Sequence, residues 1–113
     1  MKVVINIGIG GFAISKEATE FMAARGNKIA EEELKIYNMS PYSQWYGYGY
    51  TSIAKGGYDR TDSILIQAVE ELGDKANYES LLKVVEIPDN IDWYIVEADD
   101  GSESIHERHR IWE

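Results

Sequence analysis

Ile64, Leu65, Ala68, Val69, Leu72 and Ala76 recur at intervals of three and four residues. On an α-helix that spacing gathers them into one apolar stripe, whereas a strand would scatter them over both faces. The pattern predicts a helix over 61–77, packed through Leu65, Val69 and Leu72. Glu70, Glu71, Asp74 and Lys75 fall mainly off the stripe. Thr61 or Asp62 is placed to cap the start. Gly73 is the weak point at which the regular helix is expected to end. A helix with one apolar face must bury it against another element, so the rest of the chain has to supply that surface.

Val3, Val4, Ile5 and Ile7 read as a buried first strand. Gly8, Gly10 and Gly11 then punctuate the chain. Ser15 is a suitable N-cap for a short helix over 16–25, with Ala18, Phe21 and Met22 inward and Gly26 as its stop. A second helix is read from about 28 to 37, with a weaker stripe through Ile29, Glu33 and Tyr37. After the 61–77 helix, 82–87 reads as a strand stopped by Pro88-Asp89. Residues 93–98 form another, Asp99-Asp100-Gly101 a turn, and 104–112 a returning strand. The 113 residues are expected to make a single α+β domain over 1–113, with no internal repeat and no linker. Its expected parts are an N-terminal strand, two or three helices on one sheet face, and a C-terminal antiparallel three-stranded meander.

The chain has no cysteine, which removes disulfides, thiolate metal sites and a cysteine nucleophile together. No apolar run approaches the roughly 20 residues of a membrane helix. The apolar start is short and lacks a small-residue cleavage site. A cytoplasmic protein is expected, with no membrane partner. The net charge of −9 is unevenly placed: residues 1–58 carry six Lys/Arg and five Asp/Glu, residues 59–113 five and fifteen. An acidic half argues against a phosphate backbone as direct partner, because such partners need Lys and Arg to displace counterions. It suits a protein partner with a basic surface.

GGFAIS with the following Lys16-Glu17-Ala18, the run DRTDSILIQAVEELGDKAN, then LKVVEIPDNIDWYI and the ending HERHRIW occur in that order. Together they resemble a family of small acidic proteins encoded by tailed bacteriophages and prophages. Residues 27–58 fall outside the match. The resemblance implies a setting, the cytoplasm of an infected or lysogenic bacterial host cell. It carries no catalytic residues.

Gly8-Ile9-Gly10-Gly11-Phe12-Ala13 follows a strand and precedes a helix, which formally fits a dinucleotide fingerprint. The acidic strand end some twenty residues later is missing, so a tight strand-to-helix turn is the better reading. His106 and His109 stand three apart. On a strand they point to opposite faces, which argues against a metal site. Glu86 and Glu97 lie in expected strands, and a salt bridge from one of them to Arg108 or Arg110 is the plain account. No carboxylate is set among apolar residues in a way that predicts acid–base work. Nothing in the sequence implies a cofactor or an enzyme.

The remaining feature is a loop at about 40–58, which holds most of the tyrosines together with Trp45 and four glycines. Tyrosine and tryptophan give large contact area at low entropic cost. Base stacking usually needs neighbouring cations, and Lys55 is the only one between Lys35 and Arg60. Tyr42, Trp45, Tyr46, Tyr48, Tyr50 and Tyr58 are therefore the expected contacts for a host or anti-phage-defence protein, or for a second copy in a homo-oligomer. The competing reading is a binder that sequesters a nucleotide-like ligand between protomers. Gly10, Gly11, Arg60, Arg108 and Arg110 would be its anion contacts.

Overall fold

A computed structural model of the chain describes residues 1–39 and 58–108, with the backbone alone over 36–39. Among them the order is β1 (Lys2–Asn6), α1 (Lys16–Ala24), α2 (Lys28–Met39), α3 (Ser63–Leu72), a 3-10 turn (Gly73–Ala76), β2 (Leu82–Glu86), β3 (Trp93–Glu97) and β4 (Glu103–Glu107). The fold is α+β, as the hydrophobic periodicities require.

The helix ends follow their sequence signals. Ser15 caps α1, its Oγ accepting from the Ala18 N–H. At the other end the Gly26 N–H donates to Ala23 and the Asn27 N–H to Met22. Gly26 sits at φ +91°, the left-handed conformation that this closing motif needs. Asn27 then opens α2, its Oδ1 accepting from Ala30. Asp62, rather than Thr61, caps α3 by accepting from Ile64 and Leu65. The α-helix stops at Leu72 and Gly73 starts the 3-10 turn.

Val4, Ile14, Ala18, Met22, Ala30, Tyr58, Leu65, Ala68, Val69 and Ala76 form the buried core. In it α3 lies against β1 and β2, and α1 packs on both α2 and α3. Leu65 is fully buried and Val69 nearly so. Leu72 only borders the core, so the stripe is less uniform than its spacing implies. Leu65→Ala should cost about 2–5 kcal/mol. Leu72→Ala should cost clearly less, about 1–2 kcal/mol, because part of that side chain is already in water. Paired denaturant melts check the order, and equal losses would contradict the burial.

The three-stranded meander does not form. β2 pairs antiparallel with β1, with Lys2 opposite Glu86, Val4 opposite Val84 and Asn6 opposite Leu82. β3 and β4 form a separate two-stranded antiparallel sheet. The reason lies in β1, where Val3, Val4, Ile5 and Asn6 are all buried. A strand covered on both faces needs a ladder partner, and β2 offers Leu82 and Val84 on the side that meets the helices. Pro88 then removes a backbone donor. Asn90 at φ +64° turns the chain away, so β3 begins a new sheet.

Candidate functional site

Two strands alone make a marginal sheet in water. The β3–β4 hairpin is held instead by a polar joint at the end of β1. Asn6 is fully buried. Its side-chain amide donates to the Gly8 and Gly101 carbonyls, and its Oδ1 accepts from the Gly8 and Leu81 N–H groups. All four hydrogen-bonding positions of that amide are used. One Asn therefore ties β1 to its own turn, to the start of β2 and to the hairpin tip.

The hairpin tip seats on the glycine turn. The Gly10 N–H donates to the Asp100 carbonyl at 2.6 Å. Gly101 lies so close to the Gly10–Gly11 backbone that a Cβ there would come within 2.9 Å of the Gly10 carbonyl carbon. Beside this contact, Arg60 and Glu103 form a two-pronged ion pair with bonds of 2.7 and 2.9 Å. The Glu103 side chain is 3% exposed and that of Arg60 20%. Glu103 Oε1 also accepts from the Asn6 backbone N–H. Arg60 reaches the Val4 carbonyl and stacks 3.7 Å over the Phe12 ring. The Arg60 carbonyl accepts from the Val4 N–H. Arg60 and Glu103 thus cover the edge of β1 that β2 does not use.

The far part of the hairpin is presented outward. Tyr94, Val96, Ser104 and His106 share one face, with Tyr94 and Val96 each 37% exposed. The Tyr94 and His106 rings are 5.7 Å apart, Arg108 lies over Tyr94, and Ser104 Oγ is hydrogen-bonded to His106 Nε2. Between residues 84 and 107 there are eight Asp/Glu and no Lys/Arg. Glu97, Asp99 and Glu107 are exposed and form no ion pair among the described residues. The surface is acidic, half apolar and held on a fixed joint.

At the tip, the Asp100 carboxylate accepts from the Ser102 hydroxyl and N–H. The hydroxyl first, and the N–H second, hold its pKa below the ordinary aspartate value. Since the folded value lies below the unfolded one, these bonds are complete at neutral pH and are lost as pH falls through the depressed value. Ser102→Ala should move the Asp100 titration upward toward an ordinary aspartate, as read by carboxyl-detected NMR.

The residues singled out in the sequence meet different fates. Gly10, Gly11 and Arg60 do come together, but the groups they gather are the protein's own: the Asp100 carbonyl, Gly101 and the Glu103 carboxylate. Arg108 is at the opposite end of the hairpin, 3.8 Å from Asp92. Arg110 and His109 lie outside the described residues, as do Tyr42, Trp45, Tyr46, Tyr48 and Tyr50. Tyr58 is 4% exposed and sits in the core, where it offers no surface to a partner. Its hydroxyl has no hydrogen-bond partner among the described residues. Burial first, and the Glu33 carboxylate second, push its pKa above the ordinary phenol range. Tyr58→Phe removes an unsatisfied buried hydroxyl, so it should leave stability unchanged or raise it by up to about 1–3 kcal/mol. A thermal melt that fell by several degrees would show a missed partner.

Of the expected strand salt bridge, Arg108 pairs with Asp92 rather than with Glu86 or Glu97, and Arg110 lies outside the described residues. Glu86 and Glu97 are both exposed, and the inward strand carboxylate is Glu103 with Arg60 as its partner. Sequence reasoning missed Asn6, Gly101, Glu103 and Tyr94 as site residues. Asn6 did carry a signal, as the one polar residue in the apolar run from Val3 to Ile7.

Among the described residues, no three His, Asp or Glu side chains gather as a metal would require, and no helix is long and apolar enough to cross a membrane. A shallow recess of about 270 Å³ is lined by Gly8, Ile9, Glu79, Ser80 and Leu81. Its Ser80 hydroxyl already donates to the Ala13 carbonyl. No family model, no curated protein and no solved structure matches the chain.

Proposed function

We propose that the chain is a non-catalytic accessory protein of a tailed bacteriophage or prophage, acting in the cytoplasm of its bacterial host. It works by binding a host or anti-phage-defence protein that presents a basic surface. The observation that carries the reading is the acidic β3–β4 hairpin. Among the described residues, Glu97, Asp99 and Glu107 stand without ion pairs around the half-exposed Tyr94 and Val96. Unpaired charges of one sign steer a partner of the other and select against like-charged ones. Exposed rings and branched side chains beside them supply contact area. The phage setting rests on the sequence resemblance alone.

The test is affinity capture from host cells, with and without infection, using the wild type and a Glu97→Lys, Asp99→Lys, Glu107→Lys variant. A basic host or defence protein should be retained by the wild type, released as salt is raised, and lost by the variant. Equal capture by both proteins would remove the hairpin from the reading. Native mass spectrometry of the same samples reports any co-purified small molecule, and a stoichiometric nucleotide-like ligand without a protein partner would replace the reading.

A further inference from the structure

The hairpin has two edges, and they differ. The Arg108 N–H donates to the Asp92 carbonyl and the Ala98 N–H to the Ser102 carbonyl. Backbone direction alternates along an antiparallel ladder. Asp92, Tyr94, Val96 and Ala98 therefore aim their polar groups at β4. Trp93, Ile95 and Glu97 aim theirs the other way, off the outer edge of β3, where they meet no strand among the described residues. On the β4 side the hairpin is tied to the body through Glu103.

An open edge invites another strand, and natural proteins usually guard one with lysine, proline or a bulge. β3 reads Trp-Tyr-Ile-Val-Glu, with β-branched and aromatic residues, no proline and no lysine. Its neighbours in sequence are acidic: Asp89 and Asp92 before it, Asp99 and Asp100 after it. Asp92 faces Arg108 and Asp100 is held by Ser102, while Glu97 and Asp99 stand without ion pairs among the described residues. Two such edges brought together would set carboxylates near carboxylates, which disfavours a second copy. A strand with Lys or Arg beside its apolar positions would meet the opposite charge at that end.

Resting on the binding function above, we propose that the outer edge of β3 captures its partner by strand addition, and that the strand added is an extended basic segment. Three N–H and three C=O groups of Trp93, Ile95 and Glu97 supply the ladder. Glu97 and Asp99 select the charge. Trp93 and Ile95 on one face, with Tyr94 and Val96 on the other, contact alternate side chains of the incoming strand.

The probe is a short synthetic peptide alternating valine with lysine. It is compared with its glutamate counterpart and with a lysine peptide N-methylated along one edge. Hydrogen exchange by NMR on the intact protein gives the readout. The basic peptide should slow exchange of the Trp93, Ile95 and Glu97 amides and leave Tyr94 and Val96, already bonded to β4, unchanged. The glutamate and N-methylated peptides should not. A Glu97→Lys, Asp99→Lys variant, altered only at exposed residues, should bind the basic peptide weaker by about tenfold or more. Three results would overturn the proposal: equal protection by the acidic peptide, protection confined to other residues, or protection of these amides by self-association without peptide. The host-cell capture reads separately. A basic protein captured without slowing these three amides leaves the binding function standing and removes strand addition.

Discussion

Gly101→Ala should detach the β3–β4 hairpin from the body of the protein. Gly101 has φ +91°, and an added Cβ would overlap the Gly11 backbone nitrogen and lie 2.9 Å from two further backbone carbons. Backbone cannot swing aside as a long side chain can. A left-handed residue with a Cβ costs roughly 1–2 kcal/mol, and overpacking a tight contact adds about 1–3 kcal/mol. The sum exceeds what a two-stranded hairpin gains from its ladder alone, so the tip should lift. Exchange of the Gly10 amide, bonded to Asp100, should accelerate together with that of Asn6. The core amides of α3 should keep their protection. If global unfolding accompanies the change, the hairpin and the core are one cooperative unit. If neither moves, the contact between Gly101 and Gly10–Gly11 is wrong.

Breaking the Arg60–Glu103 pair from one side should be the other large effect. Glu103→Leu leaves a guanidinium that is mostly out of water without its counter-ion, holding only the Val4 carbonyl, and leaves the Asn6 N–H without an acceptor. Arg60→Met leaves a carboxylate that is 3% exposed without its cation. Removing one partner of a buried pair costs about 3–5 kcal/mol, a large share of the 5–15 kcal/mol that holds a small domain folded. Replacing both together should cost less than either alone, because no stranded charge remains. The residual loss reflects the bonds to the Asn6 N–H and the Val4 carbonyl. A double-mutant cycle in urea measures this coupling. Simple additivity would mean the two side chains do not act as a pair.

Local structure was legible in the sequence, and pairing was not. Ser15, Gly26, Asp62 and Gly73 mark helix ends because capping depends on groups a few residues apart. The strands over 82–86 and 93–97 announce themselves by composition. Which strand pairs with which depends on what each face must bury, and that is a property of the assembled core. A short link between β2 and β3 made a meander the simplest expectation, yet β1 claimed β2. The polar joint was hidden for the same reason. Asn6, Arg60 and Glu103 are widely separated in the chain, and no spacing rule connects them. The glycines at 8–11 were visible as a turn, but only the fold shows that their open backbone receives another glycine of the same chain.

The pairing of β1 with β2 also sets a timetable for the chain. Lys2 must find Glu86 and Asn6 must find Leu82, so the first strand has no ladder until some eighty residues more have been added. At synthesis rates of about 5–20 residues per second, that wait is roughly 4 to 16 seconds. Helix α1 can close on α2 within that time, because their contacts are local. Val3, Val4 and Ile5 cannot, and they emerge as an apolar strand with both edges open. Folding therefore waits on the second half of the molecule. The acidic stretch that follows β2 reaches the nascent chain just as its hydrophobic strand is finally covered.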